Sequence, residues 1–285
     1  MLISDFGEDY KIIKASNGQK LESWKGIKLL RPDPIIIWDD GIINEKEADA
    51  VYHRSKSGGG QWLNNKNIPE SWTVNYKNLT FNIKQMGFKH TGLFPEQAVN
   101  WQRMMDLIKN SNREIKVLNL FAYTGGATVA CLAAGASVVH VDSSKGMNEW
   151  AKQNVKSSNL EDKPVRFLVD DVIKFVDREI RRGNKYDAII MDPPSFGRGA
   201  SGEVWTIEKN LNPLLTKCKE LLNDDYLFVC VNTYSTNLSI LTLENILKMQ
   251  FKKDNISVDE IALPIDNSKL YLPCGVTGWI TKNKS

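Results

Sequence analysis

Five short apolar runs lie between residues 115 and 232: "IKVLNLF" (115–121), "SVVHVD" (137–142), "VRFLVD" (165–170), "YDAIIMD" (186–192) and "YLFVCVN" (226–232). They are apolar throughout rather than alternating, so each strand must be covered on two sides. Segments with helical spacing separate them, at 126–135, 145–159, 172–183 and most of 206–222. In the second of these, Met147, Trp150, Ala151 and Val155 share one side. Gly135, and Arg181 and Arg182 followed by Gly183, are residues that close helices. Alternating strand and helix predict a parallel sheet with helices on both faces. A helix near 238–250 then leads to "ISVDEIALP" and "VTGWIT", whose short link predicts an antiparallel hairpin at one edge. The reading is an α/β fold with a doubly wound, mostly parallel, seven-stranded sheet.

Residues before about 90 have a different rhythm. "YKIIKAS", "KGIKLLRP", "PIIIW", "SWTVNY" and "LTFNIKQ" are strand-like runs separated by turns. Asn17-Gly18 between runs is a strong hairpin signal. "SKSGGGQWLNNKN" (55–67) reads as a mobile loop with one aromatic. Trp62 and Trp72 read as packing residues. The expected division is a small β-rich region at 1–85 and an α/β domain over 86–285.

The chain has 285 residues, 42% hydrophobic and 25% charged, which is ordinary for a soluble globular protein. A core of that size needs no metal or disulfide staple. The four cysteines Cys131, Cys218, Cys230 and Cys274 form no CxxC pair and the three His are scattered, so no structural zinc site is expected. Cys131 and Cys230 lie in apolar stretches and read as buried thiols. A net charge of +3 neither announces nor excludes nucleic acid. Basic and acidic residues nearly balance in residues 1–90, which does not describe an RNA-binding arm and leaves a partner subunit or protein surface as its contact. The start "MLISDFGEDYK" carries no signal-peptide pattern, and no run is long enough to span a membrane. The expected compartment is the cytoplasm.

In an open parallel sheet, ligands sit beyond the carboxyl ends of the strands. The residues there are distinctive. After the first strand comes "FAYTGGATVA", where Gly125 and Gly126 allow close backbone approach ahead of a helix N-terminus. Taken alone, this pair reads equally well as a tight turn. After the second comes Asp142, which can accept hydrogen bonds from two ribose hydroxyls, or cap the next helix in competition with Ser143 and Ser144. After the third come Asp170 and Asp171, one a helix cap and the other free to face a pocket. After the fourth, Asp192 is followed by Pro193 and Pro194, which end the strand and stiffen the loop. Four such strand ends together point to one ligand site.

These motifs resemble the class I S-adenosylmethionine-dependent methyltransferases, a Rossmann-like family. More narrowly, "LNLFAYTGG" and "DPPSF" resemble the bacterial branch related to large-subunit rRNA methyltransferases, over about residues 88 to 232. "GFKHTGLFPEQ" (87–97) resembles the segment preceding the sheet in that branch, which closes over the cofactor. The resemblance implies S-adenosyl-L-methionine as cofactor, with Tyr123, Thr124, Gly125 and Gly126 at its amino-acid end. It implies Asp142 at the ribose and Asp171 at the adenine, with Asp170 as the capping alternative, and Phe121, Ser143 and Asp192 also among the cofactor-binding residues. Phe94 and Gln97 would lie near the methionine portion. Asp192, Pro193, Pro194 and Phe196 would meet the methyl acceptor.

Methyl transfer from a sulfonium needs alignment and exclusion of water rather than a metal. Asp192 and the Pro193 carbonyl can accept two hydrogen bonds from an exocyclic amine, and Phe196 can stack on a flipped base. Cytosine C5 chemistry needs a thiolate. Where relatives with that chemistry place a cysteine, this chain has Thr233, Tyr234 and Ser235, with Tyr234 a candidate for the acceptor pocket. Arg198, in the glycine-rich "GRGASGEVW" (197–205), is a candidate phosphate contact, and that stretch a candidate mobile lid or an ordinary solvated loop. The expected acceptor is RNA, and the resemblance implies ribosomal RNA. The alternatives are a small molecule or protein acceptor, a cofactor-binding interaction module without turnover, and, weakest, a NAD-dependent oxidoreductase. A homodimer is among the assemblies this reading allows.

Overall fold

The computed structural model describes residues 1–55, 59–198, 203–235 and 238–283. Contacts divide the chain into a first unit of Met1, Asn100–Ile261 and Gly275–Ser285, and a second of Leu2–Val99 and Ala262–Cys274.

The second unit is built from β1 (Leu2–Ile3), β2 (Tyr10–Ser16), β3 (Gln19–Trp24), β4 (Ile27–Pro32), β5 (Ala50–Arg54), β6 (Gly60–Asn64), β7 (Trp72–Tyr76) and β8 (Leu79–Ile83). Strands β2 to β6 form a five-stranded sheet in chain order, and β7 pairs with β8. Asn17 and Gly18 have φ of 49° and 78°, and Ser16 stands opposite Gln19. That is the two-residue turn whose twist suits a hairpin. Two expectations fail here. "PIIIW" is not a strand: its Ile36 and Trp38 carbonyls accept the Gly18 and Asn17 N–H groups at 2.7 and 2.9 Å, so the segment closes over the hairpin turn instead of joining a ladder. "GQWLN" is not loop but β6, paired antiparallel with β5. Tyr52 and Trp62 stand opposite one another with ring centroids 5.4 Å apart, a cross-strand aromatic pair. Residues 56–58 of the expected loop lie outside the described residues.

The first unit carries most of α1 (Ala98–Lys109), then β9 (Lys116–Leu120), α2 (Gly126–Ala133), β10 (Ser137–Asp142), α3 (Lys145–Ser157), β11 (Val165–Val169), α4 (Val172–Arg182), β12 (Ala188–Met191), β13 (Phe196–Arg198), β14 (Val204–Thr206), α5 (Ile207–Glu220), β15 (Phe228–Thr233), α6 (Ile240–Gln250), β16 (Asn255–Pro264) and β17 (Tyr271–Thr281). The strand order is β16-β17-β15-β12-β9-β10-β11, with β1 added outside β16 as an eighth, two-residue strand. Strands β9, β10, β11, β12 and β15 run parallel, and β17 pairs antiparallel with β15. Chain order reverses at β9, which has β10 on one side and β12 on the other, so the switch point lies there.

Burial on both faces explains the continuous apolar runs. On one face, Leu118, Val139, Ile189 and Val229 belong to a core that includes Phe175 of α4, Leu214 of α5 and Leu247 of α6. One polar group sets the register at the opposite end from the expected site. Asp187, just before β12, accepts from Arg113 Nη1 at 2.7 Å, the Lys116 N–H at 2.8 Å and Asn223 Nδ2 at 2.9 Å. Its own N–H donates to the Lys116 carbonyl, 2.8 Å, and its carbonyl accepts from Leu227, 2.6 Å. Asp187, through its carboxylate and its backbone together, thus ties the starts of β9, β12 and β15.

Candidate active site

That register aligns the strand ends. Leu120 stands opposite Val141 of β10 and Met191 of β12, Met191 opposite Val231 of β15, and Asp142 opposite Val169 of β11. The next residues along are therefore Phe121, Asp142, Asp192 and Asn232, with Asp170 one step beyond Val169.

The loop after β9 is held in an unusual backbone. Phe121, Tyr123 and Gly125 all adopt left-handed conformations, with φ of 54°, 52° and 81°. For Phe and Tyr this costs about 1–2 kcal/mol each, and it persists only where neighbours impose it. The neighbours are identifiable. The Tyr123 N–H donates to Asp142 Oδ2 at 2.8 Å, the Ala122 N–H to the Val141 carbonyl at 3.1 Å, and Asn154 Nδ2 to the carbonyl of buried Thr124 at 2.8 Å. The two glycines are required by the protein's own packing. A Cβ on Gly126 would stand 2.6 Å from Trp101 Cζ2, and one on Gly125 2.9 Å from Ala151 Cβ and 3.4 Å from His140 Cε1. Below the loop, Asn119 Nδ2 donates to Thr128 Oγ1 at 3.0 Å, and Thr128 Oγ1 lies 2.9 Å from His140 Nδ1. Burial lowers the His140 pKa to about 3, against an opposing contribution from the Tyr123 backbone, so this ring is neutral at pH 7.

Asp142 is half-buried at the end of β10. Its Oδ1 accepts the Ser144 N–H at 2.9 Å, its Oδ2 that of Tyr123. Burial raises its pKa, and these two N–H groups pull the other way. Each oxygen keeps a lone pair for a further donor. The cap of α3 is Ser144, whose Oγ accepts from Met147 at 3.3 Å, so Asp142 is not the cap. Ser143 is exposed between them. At the end of β11, the capping role falls to Asp171, which accepts from the Lys174 N–H at 2.9 Å. This reverses the expectation that Asp170 caps. Asp170 instead pairs with Arg178.

Asp192 leaves β12 with Pro193 buried behind it, while Pro194 to Phe196 are exposed. Phe196 and Arg198 lie on β13, opposite Thr206 and Val204 of β14; residues 199–202 of the expected lid lie outside the described residues. Phe196 is 58% exposed, available as a stacking surface. The Trp205 indole donates to the Pro194 carbonyl at 2.6 Å, and its ring lies 5.2 Å from that of Phe121. Tyr234 follows β15, and a Cβ on Gly275 would come within 3.0 Å of its Cδ1. Cys230 is fully buried within β15, 3.7 Å from Thr277 Oγ1. Burial pushes its thiol up to about 12, with the Asp192 charge adding to the rise. It is protonated at neutral pH and is no thiolate nucleophile.

Phe94 and Gln97 belong to the second unit, where Phe94 precedes a short 3-10 turn at Pro95–Gln97. His90 stands between Phe88 and Phe94, with centroid distances of 5.8 and 5.7 Å. Among the described residues no cluster of three His, Cys, Asp or Glu could hold a metal, and no helix is long and apolar enough to cross a membrane. The sequence reading missed the buttresses His140, Asn154 and Trp205. Only Trp205 had a local signal, as an aromatic at the end of the stretch quoted for its glycines.

A strained loop braced on an acid, a helix N-terminus and a stiff Asp-Pro-Pro loop meet at a switch point. Residues 47–249 match the family model described as S-adenosylmethionine-dependent methyltransferase. The chain belongs to that family. A ribosomal RNA large subunit methyltransferase K/L of Shewanella sp. (strain MR-4) is 30% identical over 189 residues, 65% of this chain and 25% of the relative. Its counterpart from Colwellia psychrerythraea is 26% identical over 226 residues, 78% of this chain and 30% of that protein. The chain thus spans a quarter to under a third of the length of these curated relatives. The crystal structure of an S-adenosylmethionine-dependent methyltransferase from Agrobacterium tumefaciens superposes with a TM-score of 0.93 at 32% identity, covering 99% of this chain and 93% of that one. The family's cofactor is S-adenosylmethionine. The residues present suit it: a carboxylate with acceptor capacity for ribose hydroxyls, and the N–H groups of the first turn of α2 for a carboxylate.

Proposed function

We propose that this chain transfers a methyl group to a base of ribosomal RNA, with the site on the first unit as its catalytic centre. The observation that carries the reading is the adjacency of Leu120 and Met191. It puts the cofactor loop and Asp192 on neighbouring strand ends. The cofactor, when bound, supplies an activated methyl on a sulfonium. Phe121 and Tyr123 to Gly126 would hold its amino-acid end, Asp142 its ribose with Ser143 alongside, and Asp170 or Asp171 the adenine side. Phe94 and Gln97 are assigned to the methionine end on the resemblance of their segment. Asp192 and the Pro193 carbonyl orient an acceptor amine, which must lie in line within roughly 3–3.5 Å of the methyl. Phe196 offers a face for a flipped base, and Arg198 and Tyr234 are assigned to substrate. The protonated state of Cys230 favours an amine over a C5 carbon, which would need a thiolate adduct. The names of the K/L relatives support the ribosomal acceptor.

The test is mass spectrometry of rRNA nucleosides from a deletion strain and its parent, followed by methylation of the deletion-strain rRNA by the purified chain. Loss of one methylated nucleoside and its restoration in vitro are expected. Identical nucleosides in both strains would exclude rRNA.

A further inference from the structure

Trp205 joins two loops that the sheet sets side by side. Its indole N–H donates to the Pro194 carbonyl at 2.6 Å, and its ring lies 5.2 Å from the Phe121 ring, inclined by 57°. Phe121 opens the loop after β9, and Pro194 lies two residues beyond Asp192. The same return strand is fixed elsewhere. Gly197 stands opposite Trp205 in the β13–β14 pair, the Ile207 N–H donates to the Ser195 carbonyl at 3.1 Å, and Lys174 Nζ of α4 meets Glu203 at 2.7 Å.

The chemistry of two consecutive prolines shows why this bond matters. Their rings fix φ at both positions, so the soft dihedrals left in the loop are the two ψ angles. The Pro194 ψ decides where its carbonyl points. A hydrogen bond to that carbonyl holds this angle, and an indole is a stiff group with a single donor. The same ring lies beside that of Phe121, the residue that begins the cofactor loop.

We infer that Trp205 is a positioning residue that sets the spacing between the cofactor loop and the Asp192 loop. The inference rests on the methyl-transfer reading above. A loosened loop then costs rate rather than cofactor affinity, since misplacement of an acceptor by about 1 Å can cost on the order of a hundredfold.

Two variants separate the contributions: Trp205→Phe keeps a ring beside Phe121 and removes the donor, and Trp205→Leu removes both. The chain has eight tryptophans, so the resonance missing from the indole N–H region of the Trp205→Phe spectrum is that of Trp205. If that variant does not fold, sequential backbone assignment of the wild type identifies the same resonance. Saturation with S-adenosylhomocysteine is expected to shift it. Calorimetry should give Trp205→Phe an affinity for S-adenosylhomocysteine within about twofold of wild type. Its kcat on deletion-strain rRNA should fall about ten- to a hundredfold at little-changed KM, and Trp205→Leu should lose at least as much. A Trp205 resonance unmoved at saturation, or a Trp205→Phe variant with wild-type kcat, overturns the inference. If the wild-type chain methylates no rRNA, the acceptor reading fails separately, and the titration still decides the role of Trp205.

Discussion

Tyr123 and Asp142 hold each other across two strand ends: the Tyr123 N–H reaches Asp142 Oδ2 at 2.8 Å while the Tyr123 backbone sits at φ 52°. The acid proposed to receive the ribose is also the brace of the loop beside it. Asp142→Asn should therefore weaken S-adenosylhomocysteine binding by about ten- to a hundredfold, the scale of hydrogen bonds to a charged group, and calorimetry measures it. Burial raises the Asp142 pKa, so the folded chain takes up this proton at a higher pH than the unfolded one. Its ionisation opposes folding above that pH, and the penalty disappears as pH falls. Affinity should fall with it, at a pH above the ordinary carboxylate value of about 3.9. An affinity flat from pH 7 to pH 4 would contradict this.

Asp192→Asn should leave S-adenosylhomocysteine affinity nearly intact and lower turnover by about 10²–10⁴-fold, the scale of a lost general base or orienting group. Calorimetry and single-turnover methyl transfer separate the two quantities. Turnover that survives the change removes Asp192 from the acceptor's side.

Gly126→Ala places a methyl 2.6 Å from Trp101 Cζ2. Overpacking of this kind costs about 1–3 kcal/mol. Urea unfolding should show that loss, whereas Gly146→Ala, whose added Cβ meets only Ser144 Oγ at 3.8 Å, should be neutral or slightly stabilising, as expected inside a helix.

Cys230→Ala should retain methyl transfer within a few-fold and trap no covalent RNA adduct. In the native wild type, a thiol reagent at pH 8 should leave Cys131, Cys218 and Cys230 unlabelled, since all three are buried. Peptide mass spectrometry reads the labelling. Rapid modification of Cys230 would reopen the thiolate route.

Asp187 gives the opposite pH sign to Asp142. Burial works against its ionisation, but Arg113, the Lys116 N–H and Asn223 outweigh it and hold the carboxyl below its usual range. Its stabilisation is present above the unfolded pKa of about 3.9 and is lost as pH falls through the lower folded value. Asp187→Asn should cost about 1–3 kcal/mol at pH 7. The gap to wild type, followed by urea unfolding, should narrow as pH falls below the ordinary carboxylate value of about 3.9.

The parallel strands were legible because burial on both faces leaves an uninterrupted apolar run, as in "YDAIIMD" before Asp192. The strand-end acids were legible because the sheet's geometry says where to look. Helix α1 went unread: Trp101, Met104, Met105 and Ile108, all buried, have helical spacing, but Asn100, Gln102 and Arg103 dilute it. "PIIIW" misled because an apolar run does not reveal whether a ladder partner exists; its Ile37 is 90% exposed. Strand β6 was hidden behind glycines and asparagines, since its order comes from β5. Asp170 and Asp171 are chemically alike, and only geometry decides which one caps. Trp205 stood out as an aromatic ending its glycine-rich stretch, but nothing local names its partner Phe121, 84 positions earlier.

The clamp at Asp187 works like the zero mark of a ruler. Removing one residue from β12 would draw Asp192 back by a strand rise of about 3.3 Å and turn it to the opposite face. Past the prolines, by contrast, the chain can change length without moving Asp192 relative to Phe121.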